Sequence, residues 1–299
     1  MKEVVYGFLI ITSICKGYTV IAQSTSNVQN YTPSVLLSHN QYEISLFNNL
    51  YTQDGYRNED GKFIDAPGQQ TYYTGMLQFN YGISKSNRIN IGLDVNLKAV
   101  RLDSMEGSSP LKVFSFANND FSRTEVASIG PRIKINPCNG VKNFSFSSSF
   151  WIPLADSLEN EPFLDYDKFT WWNQFYFDKN FNNKSQFFAE ADLLFRLPKA
   201  SGQTTVLSTP VSVFYSYFLS SKTTAYVMTQ VSPDFIHLPE APIDGSSRSY
   251  YSGYYAQAGI GFKYQLFSKL QLEGLYTNFF ASENAGAGQT FNLGFKYIK

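Results

Sequence analysis

Between Arg88 and Leu102 the chain reads RINIGLDVNLKAVRL, and from Ile89 its aliphatic residues hold alternate positions: Ile89, Ile91, Leu93, Val95, Leu97 and Ala99. Asn90, Gly92, Asp94, Asn96 and Lys98 lie between them. Successive side chains of a strand point to opposite faces, so one face here is wholly apolar and the other carries an acid, a base and two amides. Such a strand needs an apolar medium on one side and a polar interior on the other. Lipid outside a barrel and a polar lumen within it meet both demands.

The same beat recurs at 41–51, 71–84, 124–136, 144–153, 169–177, 186–197, 210–218, 225–232, 250–264, 270–280 and 289–298. With the opening stretch this predicts an all-β protein, a closed antiparallel transmembrane β-barrel of about 12 strands. Pro131 interrupts one strand and predicts a bulge there. The connections alternate too. Long polar loops are expected at 52–70, 103–123, 154–167 and 233–249, with shorter ones at 198–207 and 281–288 on the same side. Tighter turns are expected at 85–88, 137–143, 178–185, 219–224 and 265–269. Long loops at one end and short turns at the other mark a membrane barrel.

Composition separates this reading from two others. No run approaches the roughly 18 apolar residues of a spanning helix, and mean hydropathy is −0.23. A soluble β-sandwich also alternates, but its polar faces would meet water. Here those faces are rich in Gly, Ser, Asn and Gln. Apolar-face rings at Tyr81, Phe144, Phe177, Tyr217, Tyr264 and Tyr297 would form an interfacial girdle. A formal net charge of 0 gives nucleic acid nothing to hold.

Residues 1–22 read as a signal peptide: Lys2, an apolar run from Val4 to Cys15, and Val20-Ile21-Ala22 before Gln23. A buried N-terminal strand is the alternative. Residues 23–40 are a polar periplasmic leader, able to tuck into the barrel, and 41–299 form the barrel. Removal of the leader peptide would leave Cys138 alone, an inert thiol in the turn Pro137–Gly140.

Catalytic chemistry finds little support. His39 precedes the first strand and His237 lies in a Pro-bounded loop, neither with a serine two residues away on a strand face. No His/Cys cluster suggests zinc, and Gly259-x-Gly261 lacks the third glycine of a phosphate loop. No catalytic residue, metal or cofactor is expected. The predicted lumen carries Glu43, Asp94, Lys98, Arg132, Lys134, Glu190, Asp192, Arg196, Lys263, Glu273 and Lys296. These charges either line a polar pore or pair across the barrel and fill it. Asp156, Glu159, Glu161, Asp165 and Asp167 make one outer loop acidic with no base among them, suiting either a solvated surface or divalent cations shared with lipopolysaccharide.

The signal ending Val-Ile-Ala before Gln23, the alternating strands and the terminal Phe291-x-Leu293-x-Phe295-x-Tyr297 resemble Gram-negative outer-membrane β-barrel proteins. Leu46-Phe-Asn-Asn-Leu-Tyr-Thr-Gln53 and Gly130-Pro-Arg-Ile-Lys-Ile135 are similar to segments of an uncharacterised transporter-like group. That group is itself distantly similar to the phenol-degradation meta-pathway barrels. The resemblance implies residence in the outer membrane among lipid and lipopolysaccharide, and recognition of the last strand by the barrel-assembly machinery. Ile298 and Lys299 beyond the last aromatic depart from the usual ending. The expected function is passive passage of a small solute. An adhesin or structural anchor is the alternative, and an outer-membrane hydrolase a further one.

Overall fold

The computed structural model describes residues 34–104, 107–138, 141, 143–156, 161–200, 203–239 and 248–299. The signal at 1–22 and the leader before Ser34 lie outside the described residues. The strands are β1 (Tyr42–Arg57), β2 (Phe63–Gly82), β3 (Ile89–Asp103), β4 (Ser122–Ile135), β5 (Phe144–Pro153), β6 (Phe169–Asn182) and β7 (Ser185–Leu197). They continue as β8 (Thr205–Ser208), β9 (Val211–Phe218), β10 (Thr223–Leu238), β11 (Arg248–Phe267), β12 (Leu270–Glu283) and β13 (Ala285–Ile298).

Neighbours in sequence pair antiparallel, and β13 returns to β1, from Glu43 opposite Ile298 to Arg57 opposite Ala285. The sheet therefore closes, and no edge is left unpaired in a medium that cannot supply hydrogen bonds. Tyr42 N–H donates to Lys299 O at 2.8 Å and Lys299 N–H to Tyr42 O at 2.9 Å, so the two residues after the last aromatic belong to the closing ladder. Both β8 and β9 lie between β7 and β10, β8 beyond β9. They are one stave broken at Thr209-Pro210, where proline has no N–H to give. The barrel thus has twelve staves, one in two pieces.

Burial is inverted relative to a water-soluble domain. On β3, Leu93 is 44% exposed while Asp94 is 0% exposed. Ser45, Asn96, Thr71, Thr277, Ser147 and Gln265 are buried, whereas Ile44, Leu77, Phe79, Ile91, Ile133 and Ile260 are exposed. The outward band is apolar and the inward face polar, the arrangement that lipid stabilises and water does not.

Three expected loops are shorter than the sequence implies. β1 and β2 run on as a ladder to Arg57 opposite Phe63, closed by a turn whose Gly61 has φ +70°. β10 and β11 pair as far as Leu238 opposite Arg248, and only Asn284 separates β12 from β13. Alternation fades in these extensions because both faces are wet above the lipid, while the backbone ladder continues regardless. Of the longer connections that remain, the described residues 107–121 and 161–168 fold back onto the barrel. The first contains a 3-10 turn, Pro110–Ser115, whose Val113 packs on the outward side chains Leu50, Tyr73 and Ala99.

One local expectation is corrected. The register slip of β4 falls between Val126 and Ser128, at Ala127, while Pro131 stays in register opposite Leu93. Pro131 and Gly130 are instead where the β4–β5 ladder is interrupted without a shift, because proline donates no hydrogen bond. Cys138 is disulfide-bonded in the full-length chain, whereas the lone thiol is the expectation for a chain without residues 1–22. Leu93→Arg, at the centre of the outward band, should cost about 2–4 kcal/mol of barrel stability. Reversible denaturant unfolding in phospholipid vesicles would measure it, with the exposed Lys62→Arg as a neutral control.

The lumen as candidate functional site

Alternation on every stave sends the predicted charged residues inward, and packing then sorts them by height. At the end holding the termini and short turns, the chain before β1 enters the barrel. Ser34 is fully buried and its hydroxyl donates to Asp178 on β6. Lys134 on β4 donates to the Val35 carbonyl at 2.8 Å. His39 N–H donates to Asn87 Oδ1 at 2.9 Å, which fastens the same segment to the β2–β3 turn. Residues 34–38 therefore form a floor.

Above this floor lies a cavity of about 370 Å³. Seven of the eleven predicted lumen residues line it: Glu43, Arg132, Lys134, Glu190, Lys263, Glu273 and Lys296. Two short-range pairs stand on the β11–β13–β1 wall, Lys263 with Glu273 at 3.6 Å and Lys296 with Glu43 at 3.8 Å. Asn80 also donates to Glu43 Oε1 at 3.1 Å. On the opposite wall Arg132 grips Asp94 with two nitrogens, Nε to Oδ1 at 2.9 Å and Nη2 to Oδ2 at 2.8 Å. Trp151 Nε1 donates to the same carboxylate at 3.0 Å, and Arg132 Nη1 reaches Ser147 Oγ at 3.1 Å and Gln174 Oε1 at 3.2 Å. This planar fork fits a carboxylate better than a lysine would. Glu190 accepts from Gln174 Nε2 at 2.8 Å and Asp192 from Trp172 Nε1 at 3.0 Å.

Lys98 and Arg196 belong to the other mouth. Lys98 does not meet Asp94, four residues away on its strand. Its ammonium pairs with Asp165 at 2.8 Å, from the connection after β5. Arg196 reaches Ser208 Oγ at 3.0 Å and lies 4.7 Å from the centre of the Tyr166 ring. Residues 154–156 and 161–168 of this connection thus dip into the barrel mouth, where Ala155 and Leu164 bury against Val100 and Ala127. Its other described acids meet bases as well, and Glu159 lies outside the described residues. Glu161 lies 3.3 Å from Arg123, Asp156 lies 3.8 Å from Lys199, and Asp167 also pairs with Lys199. No group of three or more metal-binding side chains exists among the described residues.

Aromatic lining is the larger surprise. Tyr176 on β6, Phe188 on β7, Phe214 on β9 and Tyr226 on β10 form a continuous band on the inner wall, with centroid spacings of 6.1, 5.4 and 5.9 Å. A second group, Tyr51, Tyr72, Phe279 and Tyr255, packs on the far wall nearer the mouth. Rings are so common in this chain that composition does not single these out. Counting by twos from Asp192 to Phe188, or from Gln174 to Tyr176, would have found the first group.

His237 also sits otherwise than expected. It belongs to β10, opposite Ser249 of β11, and its Nδ1 lies 2.8 Å from the Ser249 hydroxyl. Both are exposed, and among the described residues no carboxylate hydrogen-bonds the ring as the third member of a catalytic triad would.

No protein-family model and no curated protein sequence matches the chain. Solved structures do. The COG4313 outer membrane channel from Pseudomonas putida F1 superposes with a TM-score of 0.67 at 12% identity, covering 89% of this chain and 98% of that one. The chain is folded as an outer-membrane β-barrel. The β domain of the Bordetella autotransporter BrkA is similar at a TM-score of 0.51 and 10% identity, over 86% of this chain and 99% of that one. In this outer-membrane barrel the pair with the deepest burial is Arg132 with Asp94, 8% and 0% exposed. Arg132→Ala would strand the carboxylate and should cost about 3–5 kcal/mol, whereas the paired replacement of both by apolar residues should cost far less. Thermal unfolding of the two variants in detergent would show the difference.

Proposed function

We propose that this outer-membrane barrel is a passive channel for small solutes, seen with its periplasmic end closed by its own N-terminal segment. The observation that carries the reading is the internal cavity, faced by seven charged side chains and bounded at one end by the segment before β1. A barrel serving only as an anchor gains nothing from keeping fixed charges around an internal space. Pairing most of them suits a weakly selective path, since it keeps water and polar groups in the lumen without a large field of one sign. The likeness to the P. putida outer membrane channel agrees with this reading. No cofactor and no energy source enter the mechanism, and solute moves down its own gradient. Insertion would use the Phe291–Tyr297 strand as the recognition segment for the assembly machinery. Outer-membrane lipid and lipopolysaccharide would surround the wall.

A second reading, a surface barrel that anchors or presents its outer loops, draws on the folded mouth at 154–168 and the BrkA likeness. Planar-bilayer recording separates the two. The intact barrel should give small, interrupted currents, and removal of residues 23–38 should raise the open conductance severalfold. A shortened barrel that folds normally yet passes neither ions nor solute would leave only the anchor.

A further inference from the structure

Most fixed charges of the lumen are matched, and one cluster is not. Asp94 is matched by Arg132, Glu273 by Lys263, Glu43 by Lys296 and Asp165 by Lys98. Glu190 and Asp192 stand on the same inward face of β7, two residues and about 7 Å of backbone apart, with their carboxyl groups turned toward each other within hydrogen-bonding reach. No base of the described residues lies within ion-pair distance of either. Arg132 is committed to Asp94, Ser147 and Gln174. Lys134 lies over the Tyr176 ring, 5.4 Å from its centre, and donates to Val35 O. Arg196, further up β7, is turned onto Ser208 and the Tyr166 ring. Asp192 is 7% exposed; its Oδ2 accepts from Trp172, while Oδ1 meets no N–H or hydroxyl donor of the described residues and the carboxyl group adjoins that of Glu190. Two adjacent carboxyls in a low-dielectric wall favour a further positive charge beside them, since Arg132 and Lys134 act on Glu190 only from beyond ion-pair distance.

The aromatic band begins immediately below them. Its outer rings, Tyr176 and Tyr226, already carry Lys134 and Lys263 at 5.4 and 5.2 Å. The central rings Phe188 and Phe214, 5.4 Å apart, carry no cation and line the cavity beside Glu190. Ring faces and carboxylates attract the same partner.

We propose that Glu190, Asp192, Phe188 and Phe214 form a binding site for a small organic cation, a primary or quaternary ammonium borne on an apolar body. The site rests on the channel reading, because solute must reach the cavity. It names the class of solute that lingers there. The ammonium sits against Glu190 with Asp192 behind it, and the apolar body lies on the two phenylalanines.

The test is calorimetric titration of the detergent-solubilised full-length barrel with benzyltrimethylammonium, and with benzoate as the same ring of opposite charge. Folding of every variant is verified by heat-modifiable migration. Saturable binding of the cation and none of benzoate is expected. Glu190→Gln with Asp192→Asn should weaken the cation about tenfold or more, Glu190→Gln alone should weaken it less, and Phe188→Leu severalfold. These amide substitutions keep the bulk of the side chains and remove only charge. Absence of saturable binding, equal binding of benzoate, or binding unchanged in the double variant would each overturn the site. Bilayer conductance recorded on the same preparation separates the two ideas. Current without cation binding removes the site and keeps the channel, while binding without current removes the channel and keeps the site.

Discussion

Closure of the β1–β13 ladder is the interaction on which everything else depends. In lipid a backbone N–H or C=O without a partner costs several kcal/mol, and an open sheet of this size would present two rows of them. Once Glu43 pairs with Ile298 and Arg57 with Ala285, every stave has two neighbours. Side chains are then free to be sorted by medium. Apolar residues gain nothing by turning inward, and the inward face can be given over to Ser, Thr, Asn, Gln and charge. The broken stave at Thr209-Pro210 shows how far this dominates. The ladder partners of β7 and β10 continue across a residue that cannot donate.

The membrane-spanning part of this order is legible residue by residue. Ile89 to Leu97 alternate in the sequence and alternate in exposure. The reading fails where the medium stops discriminating between faces. Thr52–Arg57 and Phe63–Gln70 stay paired, across a register shift between Gln53 and Gly55, yet carry polar residues on both sides, so the sequence there looks like loop. Ala99 keeps its place on the outward face but is buried, because Val113 from a distant connection lies on it. The proline in β4 is a different failure. Its missing donor was anticipated, but a missing hydrogen bond can be absorbed as a gap in the ladder without the extra residue of a bulge.

Charge placement divides along the same line. That Asp94 and Arg132 face inward follows from parity. That they grip each other follows from the β3–β4 register, which the sequence does not print. Lys98 with Asp165, and Ser34 with Asp178, join residues 67 and 144 positions apart through segments that leave and re-enter the barrel. Such contacts depend on where a connection lands, and polar loops carry no periodicity from which to read it. The aromatic band was hidden for the opposite reason, abundance rather than silence, in a chain with 27 Phe and 21 Tyr.

The connection that covers Leu50, Tyr73 and Ala99 also bears on how the barrel rides in its bilayer. There the outer wall is sealed by protein, with Phe114 and Phe116 set edge-on to Tyr73. Acyl chains are excluded from that patch of β1–β3, so the wetted hydrocarbon belt is lower on this flank than the strand lengths suggest. On the β9–β12 flank Tyr215, Val227, Ile260 and Tyr276 remain bare. A belt of unequal height around one cylinder has a single comfortable posture, with the axis inclined and the bilayer thinned beside the covered flank.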